Sequence, residues 1–279
     1  MSIGLICPLD GENLHLHSSN KFMSCRNNHH FDFAKQGYLN LLPVQQKRSK
    51  QPGDDKTMVE ARCRFLNSGV YQQIAQAVID LAKQNHTDVS LLDAGCGEGY
   101  YLRQFAQQLP QAKLAGLDIS KDAVLSAARQ NRQHNQQVQY LVASNKNIPV
   151  ADNSLSHILC MFGFPVYAEF AKKLQTHGLL ICVDSGEKHL LELRQAIYPE
   201  LKAFTPINRD SAIAAGFKLI NTESVQYDYC LNQQQISDLL LMTPHGHKGN
   251  SDKITALKQQ SEFTLGIDAQ ISLWQQETP

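Results

Sequence analysis

Leu91-Leu92-Asp93-Ala94-Gly95-Cys96-Gly97-Glu98-Gly99-Tyr100-Tyr101 runs from a short apolar stretch through an acid into three glycines that alternate with other residues. Val89 to Leu92 reads as a buried parallel strand, and Tyr101, Phe105 and Leu109 then recur at helical spacing, so the glycines join a strand to a helix. Glycine has no side chain to hold a ligand off, and the main chain of such a loop can lie directly against a nucleotide-like cofactor. A dinucleotide loop usually places its third glycine one residue later, as G-x-G-x-x-G. Here Gly95, Gly97 and Gly99 alternate, and Tyr100 fills the later place. That spacing favours S-adenosylmethionine (SAM) over a nicotinamide dinucleotide.

Lys113 to Leu117 reads as the next strand and ends in Asp118, about twenty residues past the loop, where a Rossmann-like sheet offers a carboxylate to two ribose hydroxyls. Asp93, at the end of the first strand, is expected to orient the loop or meet the methionine ammonium; its plain alternative is a turn-former or helix cap. Further strands are expected at 138–142, 157–161 and 179–183, followed by β-like segments at Phe217 to Glu223 and Thr264 to Trp274. A sixth strand and an antiparallel seventh complete the sheet of a class I methyltransferase. The expected fold is therefore α/β: a class I methyltransferase Rossmann-like seven-stranded sheet with a small N-terminal zinc-finger-like module.

The 279 residues suffice for one α/β domain and an appendage. Lys plus Arg equals Asp plus Glu at 26 each, so net charge gives no argument for nucleic acid and any basic surface must be local. No run approaches the roughly twenty apolar residues of a membrane span, and the chain opens without a basic-then-apolar secretion signal. A cytoplasmic protein with no membrane partner is expected. Seven scattered cysteines give no disulfide framework, and Cys96, Cys160 and Cys182 fit reduced core thiols.

Cys7, Asp10, Cys25 and His29 have the layout C-x-x-D, a loop, then C-x-x-x-H, close to the paired knuckles of a small tetrahedral zinc site with one thiolate replaced by Asp10. His30, His15 or His17 could substitute in the shell, and a degenerate finger without metal is the plain alternative. The polar run Gln45 to Asp55, with Pro52-Gly53, marks a boundary. The expected organisation is a zinc-finger-like module over 1–45, for which RNA recognition is implied only by the resemblance given next, a basic linker and helix over 46–70, and a SAM-dependent methyltransferase domain over 71–279.

The chain resembles the bacterial large-subunit (23S) rRNA (guanine-N1)-methyltransferases, which join an N-terminal zinc finger to a class I methyltransferase domain. The resemblance is carried by Cys7-Pro8-Leu9, Cys25 with His29, Lys35 to Gln45, Lys47-Arg48-Ser49 with Pro52-Gly53-Asp54, Glu60-Ala61-Arg62, Tyr71-Gln72, Gly97-Glu98-Gly99-Tyr100-Tyr101, Gly116-Leu117-Asp118, His189-Leu190 and Met242-Thr243-Pro244. It implies that Tyr71, Gly97, Glu98 and His189 contact the methyl donor, that Cys7, Cys25 and His29 bind zinc, and that the substrate is guanine N1 in a hairpin loop of ribosomal RNA. A homodimer is left open. The departures are Asp10, Ser156, the segment Phe162-Gly163-Phe164-Pro165-Val166, where the family tends to carry a Tyr-Ala-Pro-Cys type of sequence, and His245-Gly246-His247-Lys248.

Lys47, Arg48, Lys50, Arg62 and Arg64 form the densest basic group, with Tyr38 and Phe31 as candidate stacking surfaces for RNA and a solvated linker as the alternative. No catalytic base is assigned; Asp184 is the one nominee, with a helix cap as its alternative. A small-molecule methyltransferase and a non-catalytic RNA-binding relative are the competing functions.

Overall fold

The computed structural model describes residues 2–44, 52–83 and 88–277. Lys47, Arg48 and Lys50 lie outside the described residues. The chain begins with three short strands, β1 (His15–Leu16), β2 (Phe22–Ser24) and β3 (His30–Asp32), which form an antiparallel sheet. β4 (Leu39–Asn40), α1 (Lys56–Asn67) and α2 (Gln72–Lys83) follow. Next come β5 (Ser90–Ala94), α3 (Tyr100–Gln108), β6 (Lys113–Asp118), α4 (Lys121–Gln133) and β7 (Val138–Val142). Beyond them are β8 (Leu155–Met161), α5 (Tyr167–Lys173), β9 (Leu174–Ser185), α6 (Leu191–Ile197), α7 (Asp210–Ala214) and β10 (Phe217–Asn232). The chain closes with α8 (Gln233–Met242), α9 (His245–Lys248), α10 (Ser251–Lys258) and β11 (Glu262–Gln276).

The large sheet has the order β10-β11-β9-β8-β5-β6-β7-β4. The run from β7 to β9 is parallel, and β11 pairs antiparallel with both β9 and β10. Seven of these strands make up the expected sheet, the last of them antiparallel. The eighth, β4, is an addition: Leu39 and Asn40 pair with Leu141 and Val142 at the β7 edge and shield it.

Alternation along the strands feeds two apolar cores. Leu91 and Leu114 pack with Phe65, Ile74 and Phe105 beneath the first helices, while Leu92 and Ala115 face the opposite side. On that opposite side the chain between β7 and β8 forms no helix, and the N-terminal module covers the area: Ile3, Leu5, Cys7 and Leu14 are buried with Leu92, Leu117 and Leu141. Ile6 N donates to Pro149 O at 3.1 Å, Leu5 bridges Val150, and Asn147 Nδ2 donates to Pro8 O at 3.4 Å. Burial of these side chains against the sheet, at roughly 25 cal/mol per Å² of apolar surface, makes the module part of the sheet's own core. Among the described residues, no helix is long and apolar enough to cross a membrane.

Candidate cofactor cavity and metal cluster

The three loop glycines adopt positive φ, 101° at Gly95, 54° at Gly97 and 81° at Gly99, so the turn out of β5 is one that side-chain-bearing residues rarely enter. Gly99 is also sterically fixed, because a Cβ there would lie 2.6 Å from Tyr140 Oη. The loop is held by Gly95 N and Cys96 N, both donating to Leu117 O at 2.9 Å, and by Gly97 N donating to Asp118 Oδ2 at 2.9 Å. Asp118 Oδ1 accepts from Ser120 N at 2.8 Å. Burial raises the Asp118 carboxyl above its usual range, and the two backbone donors offset part of that rise.

Around this loop lies a cavity of about 640 Å³ at the carboxyl ends of β5, β6 and β8, within the size range of small-ligand pockets. Tyr71, Gly95, Gly97, Glu98, Asp118 and His189 all line it. Asp93 does not. It lies fully buried behind the loop, with no hydrogen-bond partner on either carboxylate oxygen. Burial, with a smaller contribution from the charge on Asp118, pushes its carboxyl up to about 8. An orphaned buried acid beside a cavity is costly unless something cationic or hydrogen-bonding completes it.

Glu98 also turns out to be buried, and its carboxylate is engaged within the protein. Its Oε2 accepts from Arg103 Nη2 at 2.8 Å and from Gln130 Nε2 at 2.7 Å, an ion pair that clamps the glycine loop to α3 and α4. On the far wall, His189 Nδ1 accepts from Asp268 N at 3.3 Å, which leaves the ring proton on Nε2, 3.2 Å from Tyr71 Oη. Burial lowers the imidazole to about 4, so His189 is neutral at physiological pH and donates to the tyrosine. Phe162 stacks on His189 with ring centroids 5.6 Å apart and lies 5.7 Å from Tyr71, forming an aromatic wall.

The remaining lining was not legible locally. The segment Pro52 to Asp55, read as linker, straps the Asp118 end: Gly53 packs on Ser120 and Ile119, and Ser120 Oγ donates to Asp54 O at 2.6 Å. Arg62 lines the cavity, pairing with the Asp54 carboxylate and donating to Met242 O at 3.1 Å. Arg64 pairs with the buried Asp238 at 2.6 Å. Neither arginine is the uncommitted cation expected of an RNA-binding face. Tyr38 is buried at 5% exposure, so it is no stacking surface; the apolar core takes its ring instead. Asp184 is half-buried on β9 opposite Gln270 and does not line the cavity.

At the other pole, Cys7, Asp10, Cys25 and His29 converge, their candidate donor atoms all within 4.8 Å of one another. Two tight turns bring them together. In one, Gly11 N donates to Cys7 O at 2.9 Å; in the other, Asn28 N donates to Cys25 O at 3.1 Å. His29 Nδ1 lies 3.4 Å from each sulfur and 2.9 Å from Asp10 Oδ2, which is itself 3.4 Å from Cys25 Sγ. Ligands around tetrahedral zinc sit about 3.3–3.8 Å apart, as its bond lengths require; the 3.4 Å separations match, His29 and Asp10 are closer at hydrogen-bond distance, and the donor types suit the ion. His15, His17 and His30 are outside the cluster; His17 and His30 pack against Phe22 instead. Burial pushes the Cys7 thiol up to about 11, and the hydrogen bond from Asn27 holds the Asp10 carboxyl far below its usual range. A metal bound here would have to displace the thiol protons.

The zinc-ribbon family described as "RlmA, N-terminal" matches residues 5–50, and the "Methyltransferase domain" family matches residues 91–178. The chain is 29% identical to the "Putative 23S rRNA (guanine-N(1)-)-methyltransferase YxjB" of Bacillus subtilis, over 95% of this chain and 94% of that protein. It is 26% identical to the 23S rRNA (guanine(748)-N(1))-methyltransferase of Streptomyces fradiae, over 90% and 91%. A third relative, the "Putative 23S rRNA (guanine-N(1)-)-methyltransferase" of Micromonospora griseorubida, is 30% identical over 68% of each chain. Among solved structures, a methyltransferase-fold protein of Bacillus halodurans superposes with a TM-score of 0.52 at 16% identity, over 73% of this chain and 99% of that one, which supports the fold alone. The paired metal knuckles, the SAM-type glycine loop and these full-length likenesses converge: the chain belongs to the 23S rRNA (guanine-N1)-methyltransferase family, an RlmA-type zinc ribbon joined to a class I methyltransferase domain.

Proposed function

We propose that this protein methylates N1 of a guanine in a hairpin loop of 23S ribosomal RNA, with SAM as donor. The observation that carries the reading is the cavity at the carboxyl end of the sheet, where an alternating glycine loop offers main chain to a ligand and Asp93 waits behind it without a partner. Full-length likeness to rRNA guanine methyltransferases supplies the substrate class.

SAM, when bound, supplies an electrophilic methyl group. The chain's part is placement. Gly95 and Gly97 would lie along the nucleoside and Asp118 would accept from its ribose hydroxyls, while Asp93, buried behind the loop, would supply negative charge toward the methionine ammonium once that cation lowers its carboxyl. The neutral His189 and Tyr71, bonded to each other, close one wall with Phe162 and keep water from the reacting atoms. Glu98 acts through Arg103 and Gln130 by fixing the loop. Guanine N1 carries a proton that must leave as the nitrogen attacks; we assign no base to it, and alignment of an already activated methyl does most of the work. Cys7, Asp10, Cys25 and His29 would hold a zinc ion that keeps the N-terminal turns in the shape that meets RNA. On this reading residues 1–45 serve RNA recognition, 46–70 are the linker and helix, and 71–279 carry out methyl transfer, with the first module packed onto the sheet of the last.

The test is transfer of radiolabelled methyl from SAM to deproteinised rRNA of a strain lacking this protein, with the modified base mapped. Label at N1 of one guanine of 23S rRNA is expected. Label that appears only in small molecules would overturn the reading.

A further inference from the structure

A second cavity of about 510 Å³ opens beside the first. The two share Ser185, at the end of β9, and are divided by the turn from Gly186 to His189: His189 faces the cofactor cavity, and Lys188 faces the second. That turn is built around Asp268. Its buried carboxylate accepts from Lys188 N at 2.9 Å, Gln226 Nε2 at 3.2 Å and Gln270 Nε2 at 3.0 Å, and a Cβ on Gly186 would fall 2.2 Å from it. Asp268 is therefore satisfied by donors from three segments, and its carboxylate is committed to holding the turn.

The exposed Glu187 also lines the groove, and beside it two other kinds of side chain stand out. Lys188 and Arg209 are cations that make no ion pair with a carboxylate at contact distance among the described residues, although Arg209 lies 5.9 Å above the Trp274 ring and close enough to Asp184 to lower its carboxyl. Phe204 and Ile207 are apolar side chains held out at 39% and 40% exposure on the strand-free stretch between α6 and α7. Apolar groups kept beside cations that lack a contact ion pair, at the mouth of the cofactor cavity, match the needs of single-stranded nucleic acid: a face for the base and positive charge for the phosphate.

We propose that this groove seats the nucleotide adjoining the target guanine, with Phe204 stacking on its base and Lys188 and Arg209 holding the phosphate between the two. The inference rests on the rRNA reading above. It places RNA contacts on the methyltransferase sheet itself, on the side of the cavity away from the strap at Pro52 to Asp55. Extruding a base into the first cavity leaves its neighbour unstacked, and the groove supplies the replacement stack.

The experiment uses the full-length protein and a synthetic hairpin carrying the guanine that the wild type methylates, with and without an abasic residue on its 5′ or 3′ side. Phe204→Ala should weaken binding of the intact hairpin about 5- to 150-fold, the range of a base–aromatic stack, and should change binding little once the correct flanking base is absent. Lys188→Gln with Arg209→Gln should reduce the salt slope of RNA binding by about 0.7, the value of one phosphate contact on a single strand. S-adenosylhomocysteine affinity, measured by calorimetry, should stay as in the wild type and certifies the fold of each variant. Equal losses on intact and abasic hairpins, or an unchanged Kd and slope, would overturn the groove while leaving the methylation reading intact. A wild type that methylates no rRNA overturns that reading and this inference with it.

Discussion

The metal cluster and the cofactor cavity lie on one core and solve binding in opposite ways. At the cluster every donor is a side chain, on turns flanked by strands of two or three residues that bury little of their own. At the cavity the glycine loop contributes main chain, and the acids around it are spoken for: Asp118 by two backbone N–H groups, Glu98 by Arg103 and Gln130. Asp93 differs in having neither oxygen paired, whereas Glu98 lacks a partner only at Oε1. The first region offers side chains that an ion would tie together; the second offers main chain already fixed by the sheet.

The contrast predicts unequal responses to removing one side chain. Cys25→Ala should have the largest effect: bound zinc, expected at about one per chain by elemental analysis, should fall to none. Stability should drop by roughly 3–5 kcal/mol, or about 10 °C in Tm for a chain of this size. A variant that melts like the wild type would show that the turns hold their shape without an ion. Asp118→Ala comes next. It should weaken S-adenosylhomocysteine roughly 100-fold by calorimetry, through two lost charge-assisted bonds, with little change in zinc content; parallel losses of both ligands would erase the distinction drawn here.

The smallest expected effect concerns Asp93. Its carboxyl is raised from 3.8 to about 8 in the folded chain without ligand. The folded state therefore binds the proton more tightly than the unfolded one. The associated stability is fully present below pH 4 and is lost as pH rises toward 8. Asp93→Asn should flatten this decline and raise the stability of ligand-free protein at pH 8 by roughly 1–3 kcal/mol, as thermal melts from pH 5 to 9 would show. A wild-type melting curve flat across that range would mean the acid already has a partner.

The same division explains what could be read from sequence. Spacing places Cys7, Asp10, Cys25 and His29 on two turns, and local order places Gly95, Gly97 and Asp118 at strand ends, because each feature spans a few residues of a regular element. Arg62 and Asp54 were legible only as charges, since their partners, each other and Met242, are set by how α1 lies across the sheet. Tyr38 looked like an exposed ring because nothing in its neighbours announces that β4 will close the β7 edge and draw it inward. The strand-to-strand register after β9 was only half visible: β10 runs to Asn232, well past the expected Glu223, because its outer face alternates polar side chains that mask a strand of that length.

The chain from Ala143 to Val150 has one further implication. Its first residues, Ala143 to Lys146, line the cofactor cavity, and its last, Asn147 to Val150, bond to Pro8, Ile6 and Leu5 beside the cysteine turn. A single short ribbon is thus the shared wall between two rooms. An ion gripped in one room would steady the plaster of the other, and methyl-donor affinity measured in chelator should then come out weaker than without it.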